Sequence, residues 1–106
     1  MVVTVFRARL RKDLDPDLIP ELEKRGARMF ELASQMPGFI SYKDFQAEDG
    51  ETLSIVEFDS LDHVRAWHEQ PEHRQVQQWS RERVYASYDI KTCEVVRTLR
   101  FPTATG

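Results

Sequence analysis

The chain has 106 residues, room for one hydrophobic core and not comfortably for two. Hydrophobic residues make up 41% and charged residues 31%, with a formal charge of −3, which excludes a disordered chain and argues against binding nucleic acid through the net field. The single cysteine, Cys93, closes no internal disulfide and supplies no paired-cysteine zinc site.

Residues 2–11 alternate with a period of two, Val2, Thr4, Phe6, Ala8 and Leu10 on one side and Arg7, Arg9 and Arg11 on the other, which predicts a strand. Asp15 is a suitable N-cap and Pro16 a suitable first helical residue. From there a stripe of Leu18, Leu22, Met29, Phe30 and Ala33 predicts a helix to about residue 35, stopped by Pro37-Gly38. Two strands follow at 39–47 and 52–58, separated by an Asp49-Gly50 turn. Ser60 caps a short helix over 61–69, and Pro71 divides it from a second over 72–79. Residues 88–101 read as one long final strand, and 102–106 as a disordered tail.

The order β-α-β-β-α(α)-β is the split βαβ of an α+β, ferredoxin-like domain over 1–101: a four-stranded antiparallel sheet with helices on one face. The uncovered face is not plainly polar. Along the last strand both Ile90 and Val96 on one side and Cys93, Val95, Leu99 and Phe101 on the other are apolar. Both faces are therefore expected to be at least partly buried. A chain this short cannot cover its own second face, so a homodimer with sheets face to face is expected. No apolar run approaches the ~18–20 residues of a membrane span, and no secretory leader is read at the N-terminus, so a cytoplasmic location without a membrane partner is expected.

The element order, Pro37-Gly38-Phe39, the Asp49-Gly50-Glu51 turn, the run from Phe58-Asp59-Ser60-Leu61 to Trp67, and Pro71-Glu72-His73-Arg74 together resemble the antibiotic-biosynthesis monooxygenase family, small dimeric α+β barrel proteins. The resemblance spans about residues 2–101 and implies that fold and a homodimer. It also implies cofactor-free oxygenation of a small aromatic or quinol-like substrate in a hydrophobic cavity. The alternatives are a non-catalytic dimer that binds a small apolar ligand and, in another branch, haem binding or degradation. That haem branch resembles a set of strand-one Asn, helix Trp and later His. Trp67 matches the Trp, the late His position falls near Gln77, and the chain has no asparagine at all. The aromatic-polyketide oxygenase branch resembles a set in which a Trp closes the third strand and a Tyr follows on the next helix. Here Phe58 and the neighbourhood of Val64 hold those places.

Cofactor-free oxygenation needs aromatic walls, a His or Tyr to handle a proton, and a donor for developing negative charge. The stretch from His63 to Tyr88 holds these types. Trp67 and His73 are the first candidates, Trp67 as a wall and His73 as the proton-handling group. His63 follows, one helical turn before Trp67, and Arg83, Tyr85 and Phe58 complete a candidate substrate-binding set. Each has a plainer role open to it: Trp67 as core anchor, His63 as a solvated first-turn residue, His73 as a helix-start surface residue, Arg83 as an ion-pair partner, Tyr85 in dimer packing. His68 and His73 are five residues apart across Pro71, a spacing that does not make a metal site, and no metal or other cofactor is expected. Arg7, Arg9 and Arg11 are expected to pair with the acids that run from Asp44 to Asp62. No aromatic pattern of an RNA-binding sheet is present, so nucleic acid is not expected as a partner.

Overall fold

The structure is a computed structural model that describes residues 1–102. The period-two segments form β1 (Val2–Leu10), β2 (Phe39–Gln46), β3 (Thr52–Phe58) and β4 (Tyr85–Glu94), joined antiparallel in the order β2-β3-β1-β4. The helical stripes form α1 (Ile19–Ser34), α2 (Leu61–Glu69) and α3 (Pro71–Arg83). The result is an α+β, ferredoxin-like domain, as the alternation and punctuation of the sequence predict. Its core lies where Val2, Val56 and Phe58 of the sheet meet Met29 and Ala33 of α1 and Val64 and Trp67 of α2.

Register explains which residues reach that layer. Val2 pairs with Phe58, Thr4 with Val56 and Phe6 with Ser54, so all of these point toward the helices. On β1 the odd positions face away, and Arg7 and Arg9 meet the acids of the β2–β3 hairpin, Arg7 Nη2 to Glu51 at 2.8 Å and Arg9 Nη2 to Asp49 at 2.7 Å. Such exposed pairs add little stability, but they hold the hairpin to the sheet. The hairpin turns at Gly50, whose φ of +91° suits a residue without Cβ. Gly38 is needed twice over. Its φ is +80°, and a Cβ there would run into the Asp59 carboxylate and the His63 ring.

Five boundaries differ from the sequence reading by more than fraying or for a definite physical reason: the start of α1 and both ends of α3 and of β4. Asp15 and Pro16 start a separate 3-10 turn, Pro16–Leu18, and α1 begins only at Ile19. Pro20 has no N–H and tolerates only the first turn of an α-helix, so the helix cannot start three residues earlier, at Pro16. α3 starts at Pro71 and runs four residues past Trp79, to Arg83. Gln70 caps it, its side chain accepting from His73 N at 2.7 Å. The residues after Trp79 are polar and give no apolar stripe, yet they contain no Gly or Pro to stop the helix. β4 begins at Tyr85, directly after the fully buried Val84, and ends at Glu94 because Glu94 pairs with Val2, where β1 itself runs out. A single further bond, Val95 N to Met1 O at 3.0 Å, continues the ladder. The long strand to residue 101 is thus not formed within one chain. Of the tail expected to be disordered, 103–106 lie outside the described residues.

Candidate functional site

α2 and α3 meet at a sharp break, and the break builds the site. Trp67 ends the apolar stripe of α2 and is 4% exposed. Gln70 is at once the C-cap of α2 and the N-cap of α3, and Pro71 takes the first helical place of α3. This fold-back lays the His73 ring flat on the Trp67 indole, centroids 3.8 Å apart and planes 14° from parallel. The Trp67 carbonyl accepts from Gln70 N at 3.2 Å and from His73 Nδ1 at 2.9 Å. A carbonyl can only accept, so Nδ1 carries the proton and Nε2 bears the lone pair. Gln77 Nε2 stands 3.3 Å from both ring nitrogens, and because Nδ1 carries the proton its N–H can donate only to Nε2.

Burial holds the His73 imidazole neutral, its pKa pushed down to about 4, with the neighbouring His68 adding to the shift and the Trp67 carbonyl opposing it. His68 is lowered by burial as well. These depressed values fix the sign of a stability effect. The unfolded chain binds a proton on His73 below its ordinary 6.5 while the folded chain resists until about 4, so folding stability falls as pH drops through that window. Urea unfolding between pH 7 and 4 is expected to show this slope, and His73→Gln should flatten it.

In front of the Trp67–His73 stack lies a cavity of about 220 Å³ between sheet and helices. Met29 and Leu22 of α1, Val76 of α3, and Val56 and Phe6 of the sheet form its apolar walls. Tyr85 and Tyr88 close one side by packing edge-on and tilted against Phe6, each at 5.5 Å. Tyr42 and Ser54 line it from β2 and β3. Burial, reinforced by Asp44, raises the Tyr42 phenol to about 12 and raises Tyr85 too. Both therefore remain protonated donors at neutral pH. Arg25 also borders the cavity, but its charge is occupied: Nε bonds Glu21 at 2.7 Å, and the guanidinium lies 4.3 Å over the Trp79 ring. A wider groove of about 420 Å³ on α3, among Arg74, Gln78 and Arg81, contains no aromatic residue.

Of the residues singled out in the sequence, the fold brings Trp67, His73 and Tyr85 to one cavity. His63 is at the start of α2, bonded through Nδ1 to Asp59 at 2.5 Å, and does not line the cavity. Phe58 is fully buried behind it, edge-on to Phe39 at 5.8 Å. Arg83 is exposed at the last position of α3 and makes no ion pair among the described residues. Tyr42, Ser54 and His68 are cavity residues that sequence reasoning passed over. The alternation of β2 and β3 held the signal for the first two, because Tyr42 and Ser54 occupy helix-facing positions. No group of three metal-capable side chains occurs among the described residues, and no described helix is long and apolar enough to cross a membrane.

Comparison with known proteins bears on the family and the fold. The sequence model described as antibiotic biosynthesis monooxygenase matches residues 1–79. YqjZ of Bacillus subtilis (strain 168), an uncharacterised protein, is 30% identical over 79 residues, 74% of this chain and 69% of that protein. Among solved structures, Rv0793 from Mycobacterium tuberculosis superposes with a TM-score of 0.76 at 16% identity, covering 93% of this chain and 98% of the other. SnoaB from Streptomyces nogalater, a cofactor-independent oxygenase, superposes with a TM-score of 0.74 at 19% identity, covering 96% and 97%. At these identities the structural likeness concerns the fold.

Proposed function

We propose, from the premise that the chain belongs to the antibiotic biosynthesis monooxygenase family, that its cavity oxygenates a small aromatic or quinol-like substrate with O₂ and no cofactor. The observation that carries this reading is the neutral His73 imidazole, lining the cavity and stacked on Trp67, with Nδ1 anchored on the Trp67 carbonyl and Nε2 as the acceptor nitrogen, within 3.3 Å of the Gln77 amide. Phe6, Tyr88 and the Trp67–His73 stack line the cavity with aromatic surface for a ring. His73 Nε2 takes a proton from the substrate's acidic O–H or C–H. Although burial makes His73 a weak base, a phenolate or enolate formed beside it stabilises the imidazolium and offsets the burial cost. The protonated tyrosines supply donors for negative charge. For a ring methylene the balance is closed: the substrate gives all four electrons, one oxygen atom ends in a new carbonyl and the other in water. SnoaB, described as cofactor-independent, supports this chemistry on the same fold.

The test is oxygen uptake with a panel of hydroquinones and anthrones in the absence of metal and flavin. Uptake above the uncatalysed rate is expected. Binding without uptake would replace the oxygenase by a ligand-binding protein, and a Soret shift on adding hemin would point to haem instead.

The working unit in this reading is a homodimer. The sheet face away from the helices carries the half-buried Val3, Val5, Leu53 and Ile55, with Phe45 44% exposed. Past β4, Val96, Leu99 and Phe101 are 97%, 84% and 98% exposed. An apolar surface of this kind is rarely left to water, and a second copy of the chain fits it by symmetry. Light scattering at micromolar concentration is expected to give twice the 12.5 kDa chain mass, and a 12.5 kDa particle would sink the dimer.

A further inference from the structure

We infer that His68 is the second proton acceptor of the cavity, taking the second hydrogen that oxygenation removes from a ring carbon after His73 has taken the first. This rests on the oxygenase reading above.

His68 stands on α2 one residue after Trp67 and four after Val64, beside the buried stripe of that helix, and it is half-buried. It lines the same cavity as His73, the two rings edge-on with centroids 6.2 Å apart. The protein holds the two imidazoles differently. His73 donates from Nδ1 to the Trp67 carbonyl at 2.9 Å, and its Nε2 faces the Gln77 amide at 3.3 Å. His68 makes no side-chain hydrogen bond through either ring nitrogen among the described residues. No fully buried side-chain nitrogen or oxygen there lacks a partner, so both His68 nitrogens open onto accessible space. Burial lowers its pKa, and at neutral pH it is an uncharged base with a lone pair that no protein group holds.

No other residue of the cavity can take that part. The remaining titratable groups that line it are Arg25 on α1, Tyr42 on β2, and Tyr85 and Tyr88 on β4; no carboxylate does. A guanidinium has no acceptor to offer, and a phenol is a donor at neutral pH. Burial raises Tyr42 and Tyr85 further.

Two hydrogens leave one carbon when a ring methylene becomes a carbonyl. His73 Nε2 takes the first as a proton, O₂ adds to the carbon, and the imidazolium returns its proton to the outer peroxide oxygen. That new O–H occupies His73 Nε2 as its acceptor. His68 takes the remaining C–H hydrogen as a proton, and the C–H electron pair becomes the second bond of the carbonyl. The O–O bond breaks, and the departing hydroxide collects the His68 proton and leaves as water. Both imidazoles end neutral.

Anthrone and O₂, without metal or flavin, test this. The parent protein is expected to form one anthraquinone for each O₂ consumed. His68→Gln should slow anthraquinone formation about a hundredfold while O₂ uptake falls far less, so that hydroperoxide accumulates and is read by ferrous oxidation. His73→Gln should slow uptake itself and release no hydroperoxide. Acylation of the parent chain by diethyl pyrocarbonate, located by peptide mass, needs no variant and decides the matter if His68→Gln does not fold. His68 should react well before His73, whose two nitrogens are both engaged. Product formation at the parent rate in His68→Gln, an equal slowing of uptake and product without hydroperoxide, or His73 acylated first would each overturn the role of His68 and leave the oxygenase standing. No uptake above the uncatalysed rate in the parent protein would remove the oxygenase and this role with it.

Discussion

Phe58→Ala is expected to lower the free energy of unfolding by about 3–5 kcal/mol, measured as a fall in the urea midpoint at unchanged slope. Phe58 has no exposed surface and belongs to the cluster that joins Val2, Val64 and Trp67. Its ring is edge-on to Phe39 at 5.8 Å, and its backbone pairs with Val2 on one side and Phe39 on the other. Truncation therefore opens a hole where three strands and α2 meet. Collapse cannot fill it, because the strands are fixed by their ladders. A domain this size has only about 5–15 kcal/mol in total, so the variant should be near the threshold of folding. Leu61→Ala is the contrast. That side chain is 44% exposed at the start of α2, and its loss should cost well under half as much.

The second large effect concerns His73. On a substrate that supports oxygen uptake, His73→Gln is expected to lower kcat by about 10²–10⁴, the usual worth of a positioned proton acceptor. Gln keeps polarity and approximate length but cannot hold a proton. Affinity should change far less than kcat, since Trp67, Phe6 and the tyrosines still form the walls. Unchanged kcat would remove His73 from the chemistry. A large rise in KM with kcat intact would make it a binding group only. The rate in the parent protein should fall on acidification as His73 takes up a proton. The midpoint should lie above the value of about 4 to which burial lowers His73, because a bound substrate turning anionic favours the imidazolium.

Most of the fold could be read directly from residue order, and the reason is physical. β3 and α2 have the boundaries expected of them, Thr52–Phe58 and Leu61–Glu69, because each is bracketed by strong local signals: the Asp49-Gly50 turn before one, and the Ser60 cap, whose hydroxyl accepts from His63 N at 3.2 Å, before the other. Among the ends that moved, that of β4 is fixed by something distant. β4 stops where β1 stops, a fact of pairing that no local pattern in 88–101 contains. α3 continues past Trp79 because Val76, Ser80 and Val84, spaced four apart, keep one side turned to the interior, a pattern the polar Ser80 hides.

The site shows the same division. Trp67 and His73 could be found from their chemistry and from the proline between them. That they touch depends on how sharply the chain turns at Gln70, which is tertiary information. Tyr42 and Ser54 read only as alternating strand residues until register set them beside Asp44. His63 had the right spacing from Trp67, but spacing cannot say that Asp59 and Gly38 would draw its ring to the loop instead.

The joint at Gln70-Pro71 has a consequence for how relatives of this chain can vary. Each residue added to a helix turns its later side chains by about 100°. One extra residue between Gln70 and His73 would swing the imidazole off the indole and carry Nδ1 away from the Trp67 carbonyl. Loops elsewhere can lengthen with little effect on the interior, but this two-residue hinge sets an angular phase, and insertions there should be the ones that abolish ligand recognition while leaving a folded protein.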